Sequence, residues 1–335
     1  MDAAIKIDSN GHDTVLDSEL REHMNVQAWL GCRVGARHRI VKHLGSGGMG
    51  HVFLAEHMTL GATVAVKILG TCARPAIVER FLTEAKLLAQ LNHPNIVQVF
   101  DVGEMEDETP YILMEHVPGI DLSTWLQRSE TLSVKRFLRI LRQVACAVDH
   151  LHGQGIVHRD IKPPNIIVDP DANDALKLLD FGIAVREGTS DAAFAGGLLG
   201  TPSYMAPEQV EGSGCGKAAD LYALGALALE VLTGKPPYDY SSMNLVLAAV
   251  LHERPGLPSE RGIAIEGIDA VFERALARDP KARFASGGEF IEALARVLAG
   301  WKRRAEGHVE ARRTPAWFPS WPELSEHLRA RIFAT

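Results

Sequence analysis

His158-Arg159-Asp160, followed by Asn165 and then by Asp180-Phe181-Gly182, constrains this chain of 335 residues more than any other feature. With each residue type used at roughly 5%, seven specified positions in that order arise by chance less than about once in ten thousand chains of this length. Composition narrows the setting. With 46% apolar and 23% charged residues the chain has the make-up of a soluble globular protein large enough for two lobes. A net charge of -7 and a pI near 6.1 argue against a nucleic-acid or anionic-membrane binder, since phosphate backbones are held by clustered Lys and Arg. Small basic clusters such as Lys302-Arg303-Arg304 do not overturn that. Cys32, Cys72, Cys146 and Cys215 lack CxxC spacing, which suits free thiols in a reducing compartment. Met1 to Asp13 carries three aspartates and no apolar core, so neither a signal nor a transit peptide is expected. No run of about 18 apolar residues exists, so no membrane span is expected and the cytoplasm is the expected location.

From Ile40 to Glu115 the pattern predicts short strands with one helix. Ile40–Leu44, His51–Ala55 and Thr63–Leu69 are β-branched and apolar between glycines, and Tyr111–Val117 ends a further strand. Ala76–Leu91 places Val78, Leu82, Ala85 and Leu88 near helical spacing. After Pro118-Gly119 helices take over, at Ser133–His152, Ala218–Leu232, Met243–His252, Gly267–Ala277 and Gly287–Leu298. The segment Val15–Leu30 has spacing compatible with an amphipathic helix, and Gly188–Gly200 reads as a mobile loop. The aromatic tail segment Trp317-Phe318-Pro319-Ser320-Trp321-Pro322 suits docking on the chain itself or on a partner.

Gly45-Ser46-Gly47-Gly48-Met49-Gly50 is a glycine-rich turn between two predicted strands, where missing side chains let backbone N–H groups approach phosphate oxygens. A plain hairpin turn would be a serious rival if the turn stood alone. A dinucleotide fold would open a helix at this point, whereas His51-Val52-Phe53-Leu54 continues as a strand. On the next strand the period-2 alternation sends Ala65 and Lys67 to one face.

Together these motifs resemble the bacterial eukaryotic-like (Hanks-type) serine/threonine protein kinase family, from about Ile40 to about Leu298. The resemblance implies an α+β, bilobal protein-kinase fold: a small β-rich N-lobe with one helix over 39–116 and a larger α-helical C-lobe over 117–300. An N-terminal extension over 1–38 and a C-terminal tail over 301–335 flank them. It implies that Gly45, Ser46, Gly47, Gly48 and Gly50 cover the phosphates of ATP, with Leu44, Val52, Ala65 and Ile167 completing the nucleotide-binding set. Met114 takes the gatekeeper position, the backbone of Glu115 and Val117 bonds adenine, and Asp121 is a weaker candidate for the ribose. Lys67 pairs the α- and β-phosphates and is oriented by Glu84, whose helical face also carries Leu88.

By the same resemblance Asp160 is the base that accepts the substrate hydroxyl proton, and Lys162 steadies the transferred phosphate. Asn165 and Asp180 supply hard oxygen ligands for Mg2+, with Mn2+ as a substitute. His158 and Phe181 read as core residues, stacked with Leu88 and Val99, rather than as catalytic groups. Thr201, in Gly200-Thr201-Pro202-Ser203-Tyr204-Met205-Ala206-Pro207-Glu208, contacts the base and the lysine in serine/threonine kinases and so marks the substrate class. Glu208 and Arg283 are expected to form a buried ion pair, and Asp220 to brace the catalytic loop. One departure stands out: Ala193, Phe194 and Ala195 occupy the place where relatives carry activating threonines, although Arg159 is retained. Activation is then expected to depend on Thr189 or Ser190, or to need no loop phosphate.

The reading is an ATP- and magnesium-dependent serine/threonine protein kinase with autophosphorylation and a signalling role, acting on protein Ser/Thr acceptors. A regulatory partner would bind through the N-terminal extension or the tail, and neither nucleic acid nor a membrane span is expected. A nucleotide-binding scaffold without catalysis is the rival from another class. It is disfavoured because Lys67, Asp160, Asn165 and Asp180 are all present. A small-molecule phosphotransferase is disfavoured by Thr201 and Ala206-Pro207-Glu208.

Overall fold

Alternating apolar side chains between Val34 and Leu113 build a six-stranded antiparallel sheet, because burying every second residue leaves one covered face on each strand. In the computed structural model, which describes residues 26–47, 50–70, 75–128, 133–179, 185–186 and 202–311, the strands are β1 (Arg33–Val34), β2 (His38–Gly47), β3 (Gly50–His57), β4 (Thr63–Leu69), β5 (Val99–Glu104) and β6 (Pro110–Glu115). Their order is β1-β2-β3-β4-β6-β5. The sheet lies in the first of two compact units, Met1–Glu79 with Val99–His116; the second comprises Arg80–Gln98 with Val117–Thr335.

The core of the first unit gathers Ile40, Phe53, Ala55, Val64, Val66, Ile68, Tyr111 and Leu113 on one sheet face. Trp29 and Val34 join it, at 8% and 1% exposure, so residues assigned from sequence to the extension are built into this unit. Residues 26–29 form a helical turn; the rest of the helix expected over Val15–Leu30 lies outside the described residues. Strand β5 is not evident from sequence, since Phe100 is exposed and the alternation is broken. Helix α1 (Pro75–Leu88) buries Phe81, Ala85, Leu87 and Leu88.

In the second unit, α2 (Leu122–Gln127) is followed by α3 (Val134–Gly153), whose buried stripe runs from Phe137 to Leu151. Ser133 starts α3 by accepting the Arg136 N–H through its hydroxyl, an N-cap that satisfies one orphan donor of the first turn. Then come α4 (Pro207–Glu211), α5 (Lys217–Thr233), α6 (Met243–His252), α7 (Ile268–Ala275) and α8 (Gly287–Ala311). Helix α5 is apolar on all sides and buried accordingly. Helix α8 packs on α3 at Gly287, where a Cβ would lie 3.0 Å from that of Ala145. The Asp149 carboxylate of α3 accepts the N–H groups of Gly287 at 2.7 Å and Gly288 at 2.8 Å, fixing the start of α8. This helix continues through Ala311 rather than stopping at Leu298, because residues 301–311 are rich in Lys, Arg, Ala and Glu, all strong helix formers. The aromatic tail segment lies outside the described residues.

A three-stranded sheet in the order β10-β9-β7, made of β7 (Ile120–Asp121), β9 (Ile166–Asp169) and β10 (Ala175–Leu178), carries the chain past the His158-Arg159-Asp160 loop. Gly119, just before β7, has φ +119° and approaches so closely that a Cβ would sit 2.3 Å from the Val168 carbonyl oxygen. β8 (Ile156–Val157) pairs with β11 (Val185–Arg186). No helix among the described residues is long and apolar enough to cross a membrane.

Candidate active site

The first unit contributes the glycine-rich turn and the strand lysine. Gly47 pairs with Gly50 across the turn; Gly48 lies outside the described residues. Gly50 has φ +151°, and a Cβ there would fall 2.1 Å from the Ile68 carbonyl oxygen, so no other residue fits. Leu44 is the extra residue of a register shift between His43 and Gly45, which leaves its side chain exposed. Lys67 of β4 pairs with Val52 on one side and Ile112 on the other, and Ala65 with Leu54 and Met114. Because paired residues share a face, Val52, Ala65, Lys67 and Met114 line the side of the sheet opposite the core. Lys67 is only 7% exposed. Glu84 lies in α1, but its side chain is outside the described ones, so the expected Lys67–Glu84 pair is not described. The chain leaves this unit at Glu115-His116 and enters the second at Val117, the three residues being half-buried.

The second unit assembles the His158-Arg159-Asp160 loop around one buried carboxylate. Asp220, fully buried on α5, accepts the backbone N–H of His158 at 2.8 Å and of Arg159 at 2.7 Å, and His152 Nε2 at 2.8 Å. Those bonds hold Arg159 at φ +69°, a left-handed conformation that a non-glycine residue keeps only when its surroundings enforce it. Arg159 is further fixed by Nη2 donating to the Cys215 carbonyl at 3.0 Å and by Gln209 Nε2 donating to its own carbonyl at 3.0 Å. Gln209 Oε1 in turn accepts the Ala206 N–H. Neither Gln209 nor His152 carries a sequence signal: Gln209 bonds the loop itself at the Arg159 carbonyl, and His152 bonds the Asp220 carboxylate that braces it.

Asp160 follows. Its Oδ2 lies 2.9 Å from Lys162 Nζ and accepts Asn165 Nδ2 at 2.8 Å, while the same Nδ2 is 2.9 Å from the Asp160 carbonyl oxygen. Burial pushes the Asp160 carboxyl above the ordinary aspartate value; the charge and hydrogen bond of Lys162, with His158 and Asn165, pull it back without cancelling the effect. His158 is fully buried, its Nδ1 accepting the Asp160 N–H at 3.2 Å and its Nε2 donating to the Leu179 carbonyl at 3.2 Å. Both ring nitrogens are engaged within the fold, as suits a core residue. Pro163-Pro164 opens the single 3-10 turn that carries Asn165. Asp180, Phe181, Gly188–Gly200 and Thr201, with Thr189, Ser190, Ala193, Phe194 and Ala195, lie outside the described residues.

Ile167 sits on β9 opposite Asp121 in register. Both Asp121 carboxylate oxygens are occupied at the start of α2, by the hydroxyls of Ser123 and Thr124 and the Thr124 N–H. Burial raises its carboxyl, yet those hydrogen bonds outweigh it and hold it below the usual range. Asp121 is therefore engaged as a helix cap. The expected ion pair is present: Arg283 Nη1 and Nη2 meet Glu208 Oε1 and Oε2 at 2.6 and 2.8 Å, both side chains buried.

A sheet bearing a glycine turn and a buried lysine, and a helical unit presenting an Asp-Lys-Asn cluster on a braced loop, define a phosphotransferase-type fold. Residues 38–287 match the protein kinase domain family. The chain is 40% identical over 291 residues to serine/threonine-protein kinase Pkn1 of Myxococcus xanthus, covering 85% of this chain and 41% of that protein. It is 35% identical over 300 residues to serine/threonine-protein kinase PknA of Mycobacterium tuberculosis, covering 87% and 68%. The crystal structure of the Mycobacterium tuberculosis PknI kinase domain superposes with a TM-score of 0.63 at 30% identity, over 80% of this chain and 98% of that one. The chain belongs to the protein kinase family, among the bacterial Hanks-type serine/threonine kinases. It spans about two fifths of the length of Pkn1.

Proposed function

We propose that this protein transfers the γ-phosphoryl group of ATP to serine or threonine hydroxyls of protein substrates, itself included, in a signalling role. The observation that carries the reading is the Asp160–Lys162–Asn165 cluster. A carboxylate whose proton affinity is raised by burial is a better proton acceptor than an exposed one, which suits the base for an alcohol. Lys162, already on the carboxylate, is placed to balance charge on the transferring group. On this reading Lys67, Ala65, Met114 and the glycine turn, with Leu44, Val52 and Glu115, are the nucleotide-binding residues of the first unit, and Val117, Ile167 and Glu84, the last orienting Lys67, are those of the second.

Asn165 spends its amide nitrogen on Asp160, which leaves a hard carboxamide oxygen as the donor suited to Mg2+ or Mn2+. Asp180 would complete the pair. Among the described residues no group of three or more His, Cys, Asp or Glu side chains forms a separate metal cluster. The bound cation supplies charge neutralisation at the phosphates. Thr201 selects Ser/Thr acceptors, and the cytoplasm, where ATP is made, is the proposed location. A regulatory partner would bind through the segments 1–38 and 301–335, flanking lobes at 39–116 and 117–300, apart from Trp29 and Val34, which the core of the first unit holds.

The test is phosphate transfer from magnesium-ATP by purified protein, read by intact mass and by labelling of a generic Ser/Thr protein substrate, with Asp160→Asn as the control. Transfer is expected for the wild-type chain and loss of at least 100-fold in the variant, the scale of general-base catalysis. Nucleotide binding with no transfer by the wild-type chain would refute the reading in favour of a scaffold.

A further inference from the structure

Ser46 lies at the tip of the β2–β3 hairpin, and its side chain has a surrounding that nucleotide binding by the turn's backbone does not call for. Its Oγ is 2.9 Å from Nδ1 of His51 and 3.2 Å from Nε2 of His43. The two imidazoles stand edge to face with centroids 5.8 Å apart, and both lean on Phe53, at 5.2 Å from His43 and 6.2 Å from His51. Register fixes the arrangement: Ser46 is the direct cross-strand partner of His51, and His43 of Phe53. Phe53 and His51 are buried, whereas Ser46 is exposed between two glycines.

A serine hydroxyl has one proton to give. With both rings neutral, one imidazole nitrogen takes that proton and the other donates its N–H to a lone pair of the oxygen, so the serine engages each ring through a single bond. A phosphate ester at the same oxygen changes the count. It brings three acceptor oxygens and about -1.5 to -2 charge at neutral pH. That charge favours the protonated form of imidazoles within a few ångströms, and each ring can then donate to it.

We propose that Ser46 is a phosphorylation site, modified by a second copy of this chain, and that His43 and His51 hold the phosphoserine so that it blocks nucleotide binding by the turn. The proposal rests on the kinase reading above. In the transfer, the bond between the γ-phosphorus and its bridging oxygen to the β-phosphate breaks as the Ser46 Oγ–phosphorus bond forms. The hydroxyl proton passes to Asp160 of the catalysing copy, and ADP leaves. The product sets a dianion on the turn whose backbone N–H groups are expected to meet the nucleotide phosphates, and like charges there oppose ATP.

The test uses the full chain with Asp160→Asn, mass-tagged and unable to modify itself, incubated with wild-type protein and magnesium-ATP. Phosphopeptide mapping is expected to find phosphate on Ser46 of the tagged acceptor. That phosphoprotein is expected to bind magnesium-ATP at least tenfold more weakly than the same preparation after phosphatase treatment. Its phosphorus resonance should titrate below the ordinary value of about 6, returning toward it when the acceptor also carries His43→Gln and His51→Gln. Phosphate on other residues but not on Ser46 would overturn the proposal and leave the kinase reading standing. Phosphate on Ser46 with unchanged nucleotide affinity and an ordinary titration would overturn the blocking role of the two histidines. No phosphate on any residue of either protein would overturn both the proposal and the kinase reading.

Discussion

At the scale of the residue, Asp160 shows how burial and charge are balanced against each other. Desolvation raises its carboxyl and Lys162, 2.9 Å away, lowers it, with desolvation ahead. A base must be ionised to accept a proton, so transfer is expected to fall as pH drops through a value above the ordinary aspartate pKa of about 3.9. Lys162→Met removes the main lowering influence. Its residual activity should therefore show an acid limb displaced to higher pH than the wild-type limb, measured as kcat/KM against pH; a limb displaced to lower pH would contradict this account. Asp160, Lys162 and Asn165 were legible in the sequence because the chemistry asks for those atoms within a few positions of one another. His152 and Gln209 were not, since their partners, the Asp220 carboxylate and the Arg159 carbonyl, lie 68 and 50 positions away along the chain. Asp121, the weaker candidate for the ribose, also has a local role, since the start of α2 engages both of its carboxylate oxygens.

At the scale of the element, the longer helices were legible as long apolar or amphipathic runs, and α6 spans the residues expected of it, Met243–His252. Short elements were not: α2, α4 and the β9–β10 hairpin hold too few turns or alternations to rise above noise. Helices α4 and α5 are tied together by Arg283, which bonds Glu208 of α4, the Ala218 carbonyl of α5 at 2.8 Å and the Ala277 carbonyl at 2.8 Å. Arg283→Met is expected to cost about 3–5 kcal/mol by leaving the Glu208 carboxylate buried without its partner. Arg283→Lys should recover only part of it, because an ammonium cannot reproduce the two-pronged contact. Denaturant titration of the three proteins checks this; equal stabilities would mean that water takes over the role of the guanidinium.

At the scale of the whole molecule, the first unit draws on more chain than its motifs mark. Trp29 is packed among Ile40, Phe53, Val66 and Tyr111, so Trp29→Ala should lower stability by about 3–5 kcal/mol. Leu60→Ala, at a side chain 76% exposed, should stay within about 0.5 kcal/mol. Thermal unfolding of both variants decides whether the segment is structural; matching transitions would return it to the role of an appended extension. By itself the sequence determined the family, the glycine turn, the strand lysine and the Asp-Lys-Asn cluster. Phosphate chemistry needs particular atoms at short separations along the chain, and such spacing is a local property. Only the tertiary structure decided that Trp29 and Val34 belong to the core of the sheet, that one buried Asp220 holds the loop at Arg159, and that Ser46 stands between two imidazoles. Burial and charge pairing follow distance in space, and nothing in the 75 positions separating Glu208 from Arg283 fixes a contact of 2.6 Å.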